Sequence, residues 1–153
     1  MHSTIFQLEE KPLRFEEDFV CEEDFYDDFV GIVANYVSED VDREEEINYL
    51  VKYLEKYKII YNSEEQSIVF PEGFKGEYFS ERFFKLKKFI EDLIIEEFST
   101  DSTKVWILKN LIEEKYGIYI YHKGTWKTFD EFVRHNLKEG QKYYIGTVLD
   151  YHF

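Results

Sequence analysis

The sequence has one cysteine, two prolines and seven glycines among 153 residues. A single thiol excludes a disulfide scaffold. So little Pro and Gly excludes a collagenous or low-complexity chain. Bases are scarce beside acids: 19 Lys and Arg against 33 Asp and Glu, for a formal net charge of −14. Direct binding to a DNA or RNA backbone is therefore disfavoured, because that affinity comes from Lys and Arg contacts that release counterions. The longest apolar stretches, such as Phe29 to Ala34 and Leu93-Ile94-Ile95, fall far short of the roughly 20 residues of a bilayer span. The opening MHSTIFQLEE has neither a basic n-region nor an apolar h-region. We expect a soluble, cytoplasmic protein without a membrane segment.

Motifs that carry common chemistries are also missing. There is no G-x-G-x-x-G or G-x-x-x-x-G-K-[ST] to cradle phosphate, and Gly73 and Gly76 are two residues in a turn. No G-x-S-x-G elbow occurs. One cysteine and no H-E-x-x-H leave no zinc ligand set. The lone thiol, Cys21, precedes Glu22, Glu23 and Asp24, neighbours that disfavour a thiolate. Asp40, Asp42 and Glu44 fit the first positions of a calcium loop, but Glu45 stands where glycine is needed and Val51 where the closing glutamate belongs. No metal site and no cofactor are expected.

What the chain has in quantity is aromatic residues and acids. Aromatics make up 20 % of the residues, enough buried surface to offset the entropy of ordering and exclude intrinsic disorder. The length points to a single domain over 1–153. The acids are unevenly placed. Residues 1–48 hold 16 acids and three bases, or 3 − 16 = −13; residues 49–153 hold 17 acids and 16 bases, or −1. Within the acidic third, carboxylates alternate with aromatics in FEEDFVCEEDFYDDF, residues 15–29.

A coarse pass places strands near 3–8, 58–61, 67–70, 117–122 and 143–152. Residues 25–37 carry Tyr26, Phe29, Val30, Val33, Tyr36 and Val37 at helical spacing. A second helix is capped by Asp42 with Glu45, and its inner stripe is Ile47, Leu50, Val51 and Leu54. A long helix over about 79–98, with Ser80 as cap, sets Phe83, Leu86, Phe89, Ile90, Leu93 and Ile94 on an inner face, as core. Asp101 to Thr103 opens a further helix that ends at Gly117, and Thr128 with Glu131 caps a short last one. The expected fold is α+β: a mixed or mostly antiparallel sheet of about five strands packed with four to five helices.

Two functional readings follow. The first is an acidic interaction protein. Its carboxylates Glu16, Glu17, Asp18, Glu22, Glu23, Asp24, Asp27 and Asp28 would dock on a basic protein surface, such as the groove of a nucleic-acid-binding enzyme. Fourteen charges match roughly 24 Å of duplex, some seven base pairs, at one charge per ~1.7 Å. In size and acidity the chain is similar to the small anti-restriction and anti-CRISPR inhibitors of phage and mobile elements, a likeness of composition alone. The plainest reading of the acids is solubility, or a generic interaction role. The second reading is a small enzyme. Asp150 and His152 share one face of the last strand, where a carboxylate can orient an imidazole as a general base. The bland reading there is a surface pair, as it is for Glu131 and His135.

Overall fold

A computed structural model describes residues 1–153. Its elements are strands β1 (His2–Glu9), β2 (Tyr36–Ser38), β3 (Ile60–Asn62), β4 (Ser67–Val69), β5 (Tyr119–His122), β6 (Thr125–Thr128) and β7 (Lys142–His152). The helices are α1 (Arg43–Leu54), α2 (Phe74–Asp92), α3 (Ile95–Thr100), α4 (Ser102–Ile112) and α5 (Phe129–His135). The fold is α+β, with one open, mostly antiparallel sheet of seven strands ordered β3-β4-β7-β1-β5-β6. Only β1 and β5 run parallel. β2 joins the edge of β7 that β4 also uses, β4 at residues 142–144 and β2 at 150–152. No helix is long and apolar enough to cross a membrane.

Both faces of the sheet are covered, because β1 and β7 carry apolar residues on each side. Phe6, Leu8, Ile145 and Val148 face a core closed by Ile47, Leu50 and Leu54 of α1, Phe74 of α2, and Phe129, Phe132 and Val133 of α5. Ile5, Tyr119, Leu149 and Tyr151 face the other way, onto Phe25, Phe29, Val33 and Val37. A bulge makes this possible. The β1–β7 register shifts between Phe6↔Val148 and Leu8↔Ile145, so one residue of β1 opposes two of β7. Ile145 and Val148, three residues apart, thereby reach the same core.

The structure revises several expectations. Residues 25–37 are not a helix. Glu22–Phe25 form a single 3-10 turn, the chain reverses at Gly31 (φ 94°), and Tyr36–Ser38 pair as β2. Phe25, Phe29 and Val33 are four apart in either conformation, so their spacing did not distinguish a helix from a string of turns lying on the sheet. The 125–128 segment, for which no strand was expected, is strand β6 paired with β5. The long helix begins five residues earlier than expected, at Phe74 after Gly73. Of its supposed inner face, Phe83, Ile90 and Ile94 are more than half exposed, and none of the six is fully buried. The amphipathic pattern is real, but beyond Phe79 the helix has left the sheet. Asp42 caps α1 by accepting the Glu45 N–H at 3.0 Å, and Thr128 with Glu131 forms the expected capping box.

Candidate functional site

The acidic segment is held down from beneath. At the bulge, the Gln7 amide donates to the Asp18 carbonyl (2.7 Å) and accepts from the N–H groups of Val20 and Thr147 (both 3.1 Å). The Thr147 hydroxyl donates to the Val20 carbonyl. Farther on, Phe25 and Phe29 are fully buried. The Phe29 ring meets Tyr119, Trp126 and Tyr151 edge-on, with centroids 5.0, 5.1 and 5.3 Å away. Such contacts add to the area that each ring buries. With Phe25 and Phe29 drawn inward, most of the interleaved acids turn out: Glu16, Glu17, Glu23, Asp24, Asp27 and Asp28 are exposed, as are Phe15 and Tyr26, and Asp18 and Glu22 are half-buried.

A second acidic stretch meets the first. Glu22 N–H donates to Glu39 Oε1 (3.1 Å), and Glu39 N–H donates to Glu22 Oε2 (3.3 Å). This reciprocal pair sets Glu22 beside Glu39, so the acidic segment singled out in the sequence meets the stretch that carries Glu39, Asp40, Asp42, Glu44 and Glu45. From Phe15 to Glu46 the chain holds 14 acids and one base, Arg43. Within that set only Glu17 and Asp18 form ion pairs, both with Arg14. Hydrogen bonding to Arg14 holds Asp18 below the usual carboxylate range. Hydrogen bonding to Glu22 pushes the Tyr26 hydroxyl up.

Arg43 does not neutralise this surface, because it is turned into the sheet. Between β4 and β2 the edge of β7 has no strand partner. There the Arg43 guanidinium donates to the carbonyls of Ile145 (2.9 Å) and Gly146 (2.8 and 3.0 Å), and to the Gln66 side chain. Burial lowers its pKa from the ordinary arginine value. Arg43 therefore stands in for the missing strand, a role that only the sheet topology reveals. By contrast Glu10, outside the ridge, is matched by Lys138 (2.9 Å) and Lys123 (3.5 Å).

On the other sheet face a cleft of about 710 Å³ opens between α1, α2 and the start of β1. Its floor holds Asp130, which accepts a bidentate Arg82 (2.6 and 2.9 Å) and the Tyr78 hydroxyl (2.9 Å). Burial pushes the Tyr78 hydroxyl far above its ordinary pKa. Each of these groups is occupied by another, so the floor is a structural lock. At the mouth, Asp150 takes His2 Nδ1 at 2.8 Å, not His152. His152 instead stacks on Tyr36, with rings 5.3 Å apart and nearly parallel. Same-face neighbours on one strand stand about 7 Å apart, whereas a residue on the adjacent strand can approach diagonally. No local pattern singles out His2, because its partner lies at the far end of the chain. Cys21 is half-buried, and burial raises its thiol pKa. No three His, Cys, Asp or Glu side chains converge as a metal-ligand group.

No family model, curated protein or solved structure matches this chain.

Proposed function

We propose that this is an acidic interaction protein whose surface over residues 16–45 docks on the cationic groove of a nucleic-acid-handling protein, in the place of a phosphate backbone. The observation that carries this reading is the run of carboxylates from Glu22 to Glu45, joined at Glu22 and Glu39 and without an ion pair, its one base withdrawn into the sheet. Only Glu17 and Asp18, ahead of that run, are paired, with Arg14. An acidic surface kept only for solubility has no need to be continuous, nor to keep arginines and lysines out. A coherent field of one sign speeds encounter with an oppositely charged groove and makes binding salt-sensitive. Blocking such a groove would serve a phage or mobile element against a host nuclease or repressor.

With Asp130, Arg82 and Tyr78 engaged with one another on the cleft floor, the His2–Asp150 pair at its mouth is what a carboxylate and histidine enzyme would have to use. The test is displacement of a labelled duplex from a panel of basic nucleases, repressors and restriction enzymes at low salt. The protein should release duplex from at least one member. A variant carrying Gln or Asn at Glu22, Glu23, Asp24, Asp27 and Asp28 should lose most of that effect. Release from no panel member, or equal release by the amide variant, overturns the proposal.

A further inference from the structure

Beyond Phe79, α2 continues away from the sheet and folds back through α3 and α4. Neither α3 nor α4 has a buried residue. Yet this helical arm is apolar: Phe83, Phe84, Ile90, Ile94, Ile95 and Phe98 are each more than half exposed. Phe83, Phe84, Lys87, Ile90 and Glu91 recur at i, i+1, i+4, i+7 and i+8, which puts them on one side of α2. α4 packs along another side, where Phe89, Leu93, Lys104 and Leu111 line a shared groove. The Phe83 side of α2 is an amphipathic helix face without a covering element.

We infer that this face is the contact between two copies of the chain, paired antiparallel about a two-fold axis. Area supports it. Phe83, Phe84 and Ile90 on α2 offer about 300 Å² of apolar surface, and Ile94, Ile95 and Phe98, where the chain turns into α3, add about as much, against ~800 Å² per partner, somewhat over half of it apolar, in a standard interface. Charge supports it too. Residues 74–112 carry seven bases and seven acids, net zero, in a chain of net −14. That neutral arm is where two such chains can meet with least repulsion. Beyond Glu81 the charges are also ordered: Arg82, Lys85, Lys87 and Lys88 come first, Glu91 and Asp92 close α2, and Glu96 and Glu97 follow on α3. Arg82 is engaged by Asp130 and Lys85 by Glu81, but Lys87, Lys88, Glu91 and Asp92 make no ion pair within the chain.

An antiparallel copy sets each basic stretch against the other's acidic stretch. With the axis level with Phe89, Lys87 faces Glu91 of the second copy, and Glu91 faces its Lys87. Such an interface is self-complementary, as a two-fold dimer requires. Phe25 and Phe29 hold the 22–28 acids over the opposite sheet face; Glu44 and Glu45 begin α1, which shares a core with α2, but none of these acids belongs to the helical arm that pairs.

The full chain should sediment as a dimer at micromolar to tens of micromolar concentration. Lys87→Glu or Glu91→Lys alone sets like charges against each other and should raise the dissociation constant by at least roughly tenfold. The two single variants, mixed, should form a heterodimer, and the doubly reversed chain should dimerise again. A fold defect in either variant would not be repaired by mixing, so restored mass marks the interface itself. A wild-type monomer at about 100 µM overturns the inference. So does a dimer that survives both reversals and Phe84→Asp.

Discussion

Gln7 occupies the space that a side chain at position 146 would need: a β-carbon on Gly146 would come within 2.3 Å of Gln7 Oε1. The glycine admits the amide that ties down Asp18 and Val20, and so fixes how the acidic segment enters the ridge. Gly146→Ala should displace that amide and cost about 1–3 kcal/mol in stability. Backbone amides over 16–21 should exchange faster with deuterium, while those of α1 hold. Unchanged exchange over 16–21 would show that the tether lies elsewhere.

The Asp130–Arg82 lock has a different signature. Asp130 is buried and the Arg82 side chain is only 23 % exposed, so removing one partner strands the other, along with the Tyr78 hydroxyl. Asp130→Leu or Arg82→Met alone should each cost about 3 kcal/mol, and the pair together much less than the sum. Urea denaturation of the two single variants and the double variant measures the coupling. Additive losses would mean that the pair is not a unit.

Acid sensitivity should follow the carboxylates that bases hold down. Hydrogen bonding to Lys138 lowers the pKa of Glu10, and hydrogen bonding to Lys142 lowers that of Glu65, each from an ordinary value of 4.5. A folded-state pKa below the unfolded one means stability that is present above the unfolded value and lost as pH falls through the folded one. Glu10→Gln with Glu65→Gln should therefore lower the urea midpoint at pH 7 and narrow the gap to wild type as pH drops below about 4. Ridge acids lose mutual repulsion over the same range, so the difference between the two proteins is the quantity to follow. A gap independent of pH between 7 and 3 would refute the assignment.

The ridge should cost stability, not supply it. Glu23, Asp24, Asp27 and Asp28 form no ion pair with any base of the chain. Replacing Glu23 and Asp27 with amides should leave the melting temperature unchanged or raise it, and any rise should shrink when salt is increased to about 0.5 M. A loss of more than about 1 kcal/mol would assign these acids a structural role.

Much of the framework was legible in the residues. Asp42 with Glu45 and Thr128 with Glu131 announce helix starts, because capping is chemistry between near neighbours. β1 and β7 were legible from their apolar content and length. β2 and β6 were not: Tyr36–Ser38 closes a run with helical spacing and Thr125–Thr128 has one apolar residue, so each owes its extended form to the strand beside it. Phe83 and Ile90 were misread as core because periodicity reports that a helix has an apolar face, not what covers it.

Although the structure buries Phe25 and Phe29 and leaves Phe15 and Tyr26 exposed, the alternation of aromatics with carboxylates over 15–29 by itself announced that some rings pack the segment onto the domain while its charges face water, because burying a ring is favourable and burying unpaired carboxylates is not. It also set the sign and size of the charge. Tertiary structure alone decided that Glu39 stands against Glu22, that Arg43 turns into the β7 edge, and that His2 reaches Asp150. These are meetings of residues 17, about 100 and 148 positions apart, and only chain topology sets which distant groups become neighbours.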